Sequence, residues 1–526
     1  MEHDRSSLSG SVHAVGSVVY EPALRAAVGT DNVVTTPTGR MFPVAVDSEM
    51  GTCQSFVTRP FMALPLSDGM SISLSRDSGF VAIRAETVAM NTVDLGFPRP
   101  GPPRSGAIPG APPSFHVLAK PTGAICNLDC SYCFFLSKEE LYPGSEFRMR
   151  DDMLTQYLRQ LLESHASPDV TVAWQGGEPT MMGLDFFRRA VELVAQLARP
   201  GQRVEHTMQT NGTLIDDEWA AFLAEHDFLV GISIDGPRDL HDAYRVDKGG
   251  KPTFDRVIRG LDRLKAHGVR WNVLTTVHRA NEDHGLDVYR FLRDELGAEF
   301  VQLIPIVERP SPGGIPTGNQ VTDRSVSPAG YGQFLVEVFE EWVRRDVGTV
   351  YVQMFDSTLA SFAGVPGSLC VHSETCGTAV ALEHNGDLYS CDHFVEPDYL
   401  LGNIGQRHMF ELIASPQQRA FGNAKRDSLP AYCRACDVRF ACQGGCPKDR
   451  FTTAPDGEPG LHYLCPSYQD FFRHVDPAMQ MMVAALRSGR DADQVMAWYQ
   501  RRDQRRLGDD QPTRVGPSSR GDAPPA

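Results

Sequence analysis

Eleven of the twelve cysteines in this 526-residue chain are gathered into two stretches, Cys126 to Cys133 and Cys370 to Cys465, and only Cys53 stands apart. Clustered cysteines are the disulfide framework of a secreted protein or the metal ligands of an intracellular one. The N-terminus, MEHDRSSLSG, has no apolar segment of a secretory signal, and no apolar run approaches the roughly 18 residues that span a bilayer. The expectation is therefore a cytoplasmic, metal-binding protein. Fifty basic against 66 acidic side chains give a net charge of −16, which argues against nucleic acid or an anionic membrane as partner. The length allows two or three domains.

Residues 1–113 mix Ser, Gly, Thr and Pro with short apolar stretches and end in the linker GFPRPGPPRSGAIPGAPP. They are expected to be a poorly ordered extension without a chemical motif. From Phe115 the pattern changes to alternating strand-length and helix-length segments. Strands are expected at 115–120, 170–175, 203–209, 228–234, 270–277 and 300–306. Helices are expected near 151–164, 185–198, 216–226, 254–267, 282–296 and 329–346. Six strands with intervening helices imply a parallel sheet with right-handed crossovers, an α/β (β/α)₆ partial barrel over 114–345. Chemistry in such folds sits at the C-terminal ends of the strands. Residues 346–475 form a second, Cys- and turn-rich domain. Over 476–526 a helix from Pro477 to Arg505 is expected to precede a disordered, Pro-rich tail.

After the first strand comes Cys126-Asn-Leu-Asp-Cys130-Ser-Tyr-Cys133. Three thiolates on one loop can hold three irons of a [4Fe–4S] cubane and leave the fourth open to a ligand. A zinc site is the alternative, but no fourth ligand lies nearby. The second strand runs into Gln175-Gly176-Gly177-Glu178-Pro179, where glycines permit close backbone approach to a ligand and Glu178 offers an anion to an ammonium. The third ends in Gln209-Thr210-Asn211-Gly212 and the fourth in Ser233-Ile234-Asp235-Gly236.

These motifs resemble the radical S-adenosylmethionine superfamily. The resemblance implies that the cofactor's amino and carboxylate groups chelate the open iron, and that an electron from the cluster breaks the sulfonium C–S bond to yield a 5′-deoxyadenosyl radical. Gly176, Gly177, Glu178 and Pro179 would bind the cofactor's amino group. Ser233 and an arginine would contact its ribose or carboxylate, with Arg245 chosen over Arg256 and Arg259 and a surface ion pair as its ordinary alternative. Ile304 would pack on adenine or else be core.

The eight later cysteines have the spacing C-x₉-G-x₄-C from Cys376 to Cys391 through Gly386, with Cys370 before it. Then come Cys433, Cys436, Cys442 and Cys446 as C-x₂-C-x₅-C-x₃-C, and finally Cys465. Zinc ribbons also use C-x₂-C pairs. The full pattern resembles the SPASM domain of peptide-modifying radical enzymes. It implies an inner cluster on Cys370, Cys376, Cys391 and Cys446, and an outer one on Cys433, Cys436, Cys442 and Cys465. The total is three [4Fe–4S] clusters.

The likeness is greatest to the anaerobic sulfatase-maturating enzymes, which oxidise a Cys or Ser side chain of a sulfatase to Cα-formylglycine. In that family an aspartate in the position of Asp392 is the proposed base, expected here to have a raised pKa, and Gln175 matches a substrate contact. Phe134-Phe135 stands where some relatives carry a Tyr. The implied reaction removes hydrogen from Cβ, a proton to Asp392 and an electron through the auxiliary clusters. A flavodoxin or ferredoxin would be the reductant and the enzyme a monomer. A maturase that crosslinks a ribosomal peptide is a second reading, and a non-catalytic iron–sulfur electron carrier is a third.

Overall fold

The computed structural model describes residues 33–35, 41–43, 112, 114–312, 315–366 and 369–509. Cys53, most of the 1–113 extension and the tail beyond Asp509 lie outside the described residues. Segment 30–99 is a unit by itself, in which Val33–Thr35 pairs antiparallel with Met41–Pro43. No helix among the described residues is long and apolar enough to cross a membrane.

The remainder is built on a ten-stranded sheet. Six parallel strands form the expected barrel wall: β1 (His116–Lys120), β2 (Asp169–Trp174), β3 (Arg203–Thr210), β4 (Leu229–Ser233), β5 (Arg270–Val277) and β6 (Phe300–Pro305). Between them lie α1 (Asp151–Ser164), α2 (Leu184–Leu197), α3 (Asp217–Glu225), α4 (Phe254–Ala266) and α5 (Gly285–Arg290). Leu154, Tyr157, Leu158, Leu161 and Leu162 of α1 recur at helical spacing and are buried against the sheet, while Asp151 and Asp152 sit favourably at the positive end of its dipole. All five residues of β4 are buried, as befits a strand covered on both faces. The last of the barrel helices is shorter than periodicity predicts, because Phe291–Glu295 widens into a π-turn.

Periodicity predicts six strands, and the sheet continues beyond them on both sides. After α6 (Pro328–Arg345), β7 (Tyr351–Val352) joins β6 in parallel and leads into α7 (Gln353–Ala363). On the other edge β8 (Ala379–Glu383) pairs in parallel with β1, setting Glu383 opposite Lys120. β9 (Asp387–Tyr389) and β10 (Leu400–Asn403) then extend the sheet antiparallel. The Cys-rich region is thus hydrogen-bonded to the barrel's first strand. Its three strands are too short to announce themselves by alternation.

At the C-terminal end the helix expected from Pro477 begins at Cys465 instead: α9 is Cys465–Arg487, and α10 (Gln494–Asp509) follows as a separate helix, with α8 (Pro416–Asp427) earlier in the Cys-rich region. An interior proline costs a helix about 3 kcal/mol. Phe471, Phe472, Val475, Met479 and Met482, buried where α9 packs on α6 and α7, each return roughly 1.5–3 kcal/mol, so the helix passes through Pro477 unbroken.

Between the sheet and its covering helices, His206 of β3 accepts a hydrogen bond at Nδ1 from Trp174 Nε1 at 3.2 Å and stacks on Phe228 with ring centroids 4.8 Å apart. Burial, with His226 adding, lowers its pKa to about 4. The unfolded chain therefore takes up this proton first, at about pH 6.5, and the stability present above that pH is lost as pH falls toward 4. His206→Gln should weaken the pH dependence of unfolding between pH 7 and 5 by roughly 2 kcal/mol. Equal slopes for the variant and the parent in thermal or urea unfolding would refute this.

Candidate active site

The loop after β1 carries Cys126, Cys130 and Cys133, and its backbone is held by the turn that ends β2. Gly177 N–H donates to Gly123 O at 2.8 Å and Glu178 N–H to Ile125 O at 3.0 Å. A Cβ on Gly177 would lie 1.9 Å from Ile125 O, and Gly176 has φ +122°, a conformation that side chains resist. The glycine pair admits the cysteine loop itself, a tighter reason for glycine than the approach of a ligand. Gly177→Ala should therefore lose about four irons per chain and all cofactor cleavage, with the fold intact by circular dichroism. Retention of full iron content would contradict it.

Glu178 is fully buried and already carries four donors: Thr180 N–H at 3.0 Å, Thr180 Oγ1 at 2.6 Å, Thr210 Oγ1 at 2.8 Å and Asn211 N–H at 2.8 Å. Burial raises its pKa while these donors oppose the shift. The carboxyl staples β2 to β3 and is not left open as an anion for an ammonium. Asn211 passes the connection on, donating to Asn127 Oδ1 at 2.8 Å and approaching Cys126 Sγ at 3.7 Å. Asn127 and Asn211, side chains of the cysteine loop and of a strand end, are contributors that spacing alone did not reveal.

Arg245 lies in a buried ion pair, not at the surface. Its Nε meets Asp235 Oδ2 at 2.8 Å, and Tyr132 of the cysteine loop donates to the same oxygen at 2.5 Å. Burial by itself would raise the Asp235 carboxyl, but Arg245 and His278 outweigh it and hold it far below the carboxylate range. Breaking such a pair by removing one partner costs about 3–5 kcal/mol. Arg256 instead pairs with Asp247 at 3.0 Å. Ser233 Oγ, at the end of β4, accepts from Gln209 Nε2 at 3.0 Å. Ile304 is 39% exposed at the end of β6, opposite Thr276, so it is not core. The Gln175 side chain makes no hydrogen bond to the described residues.

Asp392 follows Cys391 in a short 3₁₀ turn and reaches the mouth of the barrel, where its Oδ1 lies 2.5 Å from Lys120 Nζ. Lys120, at the end of β1, is 3% exposed and sits 3.7 Å above the centre of the Phe135 ring. Burial would raise the Asp392 carboxyl, but Lys120, His393 and Lys448 together lower it below its ordinary value. The raised pKa expected from sequence is thus reversed, because the burying partner is itself a cation. A lysine closing the strand directly after Val117, Leu118 and Ala119 was the signal for this contact. Phe134, 38% exposed, faces His393 edge-on at 5.6 Å.

The eight later thiols separate into two sets. Cys370 interacts electrostatically with Cys376, Cys391 and Cys446. Cys442 and Cys465 interact with each other and with Cys433 and Cys436. The second set lines a half-open pocket together with Tyr432, His462 and Gln469. Among the described residues no three His, Cys, Asp or Glu converge on one point as around a single ion. A cubane, with irons at four corners, draws its thiolates from positions farther apart. Burial pushes Cys442, Cys446 and Cys465 up to about 12, and Cys126 likewise, so these thiols give up protons when a metal binds. Two groups of four soft ligands and one of three suit iron–sulfur clusters.

The profile of the radical SAM superfamily matches residues 121–292, and that of the SPASM iron–sulfur cluster-binding domain matches 370–437. A serine-type anaerobic sulfatase-maturating enzyme of Bacteroides thetaiotaomicron is 44% identical over 381 residues, covering 70% of this chain and 92% of that protein. The chain belongs to the anaerobic sulfatase-maturating enzymes. A cysteine-type sulfatase-maturating enzyme of Clostridium perfringens is 32% identical, covering 70% of this chain and 98% of its own length. The solved structure of native anSMEcpe with bound AdoMet is 31% identical with a TM-score of 0.64, covering 70% of this chain and 99% of that one. The same protein with AdoMet and the Cp18Cys peptide matches with a TM-score of 0.63, over 70% of this chain and 98% of that one. As a sulfatase-maturating enzyme with radical SAM and SPASM domains, the chain is an iron–sulfur enzyme.

Proposed function

We propose that this enzyme oxidises a Cys or Ser side chain of a sulfatase to Cα-formylglycine, using S-adenosylmethionine and three [4Fe–4S] clusters. Cys126, Cys130 and Cys133 would hold the cluster with the open iron. Cys370, Cys376, Cys391 and Cys446 would hold the inner auxiliary cluster, and Cys433, Cys436, Cys442 and Cys465 the outer one. When bound, these groups supply a 5′-deoxyadenosyl radical for hydrogen abstraction from Cβ and an electron sink for the second oxidation step.

The chain's own residues do the rest. The backbone of Gly176 to Pro179, held rigid by Glu178, presents its polar groups to the cofactor's amino end. Ser233 and the Arg245–Asp235 pair fix the far side of the pocket, and the exposed face of Ile304 offers apolar surface to adenine. Gln175, with its amide free, orients the substrate peptide. Asp392, kept anionic by Lys120, accepts the thiol or hydroxyl proton as the Cβ–heteroatom double bond forms. Water then converts a thioaldehyde to the aldehyde. The residues fall into a barrel domain at 114–345, an auxiliary-cluster domain at 346–475 and a C-terminal segment from 476, with flavodoxin or ferredoxin as the electron source in the cytoplasm.

The observation that carries this reading is the carboxylate of Asp392, which joins a cysteine of the inner set to the end of β1. The test is anaerobic incubation of reconstituted enzyme with S-adenosylmethionine, reductant and a sulfatase-derived peptide, followed by mass spectrometry. A Ser peptide should lose two hydrogens, and a Cys peptide should in addition exchange sulfur for oxygen. Unchanged Ser and Cys peptides alongside active cofactor cleavage would refute sulfatase maturation and favour a crosslinking maturase.

A further inference from the structure

We propose that Lys425 is a fixed positive charge that raises the reduction potential of the inner auxiliary cluster selectively; this rests on the cluster assignment under Proposed function. Lys425 lies on α8 with its side chain 1% exposed. Its Nζ donates to the carbonyl oxygens of Cys370 at 2.5 Å and Val371 at 3.0 Å. No carboxylate among the described residues pairs with it. A buried ammonium held only by neutral carbonyls carries a desolvation cost of several kcal/mol unless an anion is close by. Burial lowers the Lys425 pKa, and Cys376, Cys370 and Cys446, three members of the inner set, oppose that shift.

Arg450 provides the contrast. Its guanidinium donates to the carbonyl oxygens of Lys425 at 2.6 Å, Gly444 at 2.8 Å, Gln443 at 3.0 Å and Gly445 at 3.2 Å, also without a carboxylate among the described residues. It acts on Cys433, Cys446, Cys376 and Cys442, so its charge is shared between the two sets. Lys425 touches the inner set directly, at the backbone of Cys370, and makes no hydrogen bond to a member of the outer set among the described residues. A cubane with four thiolates is an anion and gains a further negative charge on reduction, so a nearby cation stabilises the reduced form more than the oxidised one. Were the inner cluster to take up the electron that leaves the substrate, Lys425 would make that uptake more favourable.

The test is a potentiometric titration of the reconstituted holoenzyme, followed by electron paramagnetic resonance, for the parent, Lys425→Met and Lys425→Arg. Lys425→Met should move one auxiliary potential to a more negative value and leave the other in place, and Lys425→Arg should restore most of the shift. Two unmoved potentials, or equal shifts of both, would overturn the proposal. Should Lys425→Met lose about four irons, retention of that iron in Lys425→Arg assigns the need to charge, and its loss in both assigns it to packing and overturns the proposal. Parent protein lacking two auxiliary cubanes would instead remove the cluster assignment itself.

Discussion

Cys130→Ala is expected to abolish 5′-deoxyadenosine formation while removing only about a third of the bound iron. In the proposed assignment the three thiols of the first loop would hold one cluster with a corner left for the cofactor, so no spare ligand would replace a lost cysteine. The loop itself should survive the substitution. It is held by Gly177 and Glu178 on one side, and on the other by hydrogen bonds of Asp129 and Ser131 to the backbone of Val246 and Tyr244 at 2.8 and 3.0 Å. The eight cysteines at 370–465 keep their own surroundings, and their iron should remain. Iron and acid-labile sulfide analysis, with chromatography of the nucleoside product, checks both halves. Continued cofactor cleavage would remove this loop from the chemistry.

Asp392→Asn should lower formylglycine formation roughly 10²–10⁴-fold, the usual contribution of a general base, with cofactor cleavage reduced far less. Asparagine keeps the size of the side chain and its place beside Lys120, but it cannot accept the proton. The radical would still form and be quenched without product, so the ratio of aldehyde to 5′-deoxyadenosine is the decisive measurement. Lys120→Met should lower the same ratio, since the ion pair of 2.5 Å is what aims the carboxylate across from the SPASM side to the barrel. Equal losses of aldehyde and nucleoside in Asp392→Asn would exclude Asp392 as the base.

The barrel was legible because its strands and helices are long enough for periodicity to show. Segment 270–277 was read to the residue, and 203–209 to within one. The edge strands at 351–352, 379–383, 387–389 and 400–403 were not, because segments of two to five residues carry no reliable alternation and owe their existence to a neighbour's free edge. Pro477 misled for a related reason. Its local preference for a helix start was overridden by the burial of Phe471, Phe472 and Met479 against two other helices.

Cysteine spacing, together with the strand-end motifs, made the resemblance to radical S-adenosylmethionine and SPASM proteins legible, and through it the expectation of iron–sulfur clusters. Thiolate chemistry is carried by residue identity and by close spacing along the chain, which a sequence displays directly. Only the tertiary structure decided what surrounds those groups. Glu178 is spent on internal donors, Arg245 is buried against Asp235, and Asp392 meets Lys120 across a parallel pairing of β8 with β1. Charges distant in sequence determine one another's ionisation only when folding removes the water between them.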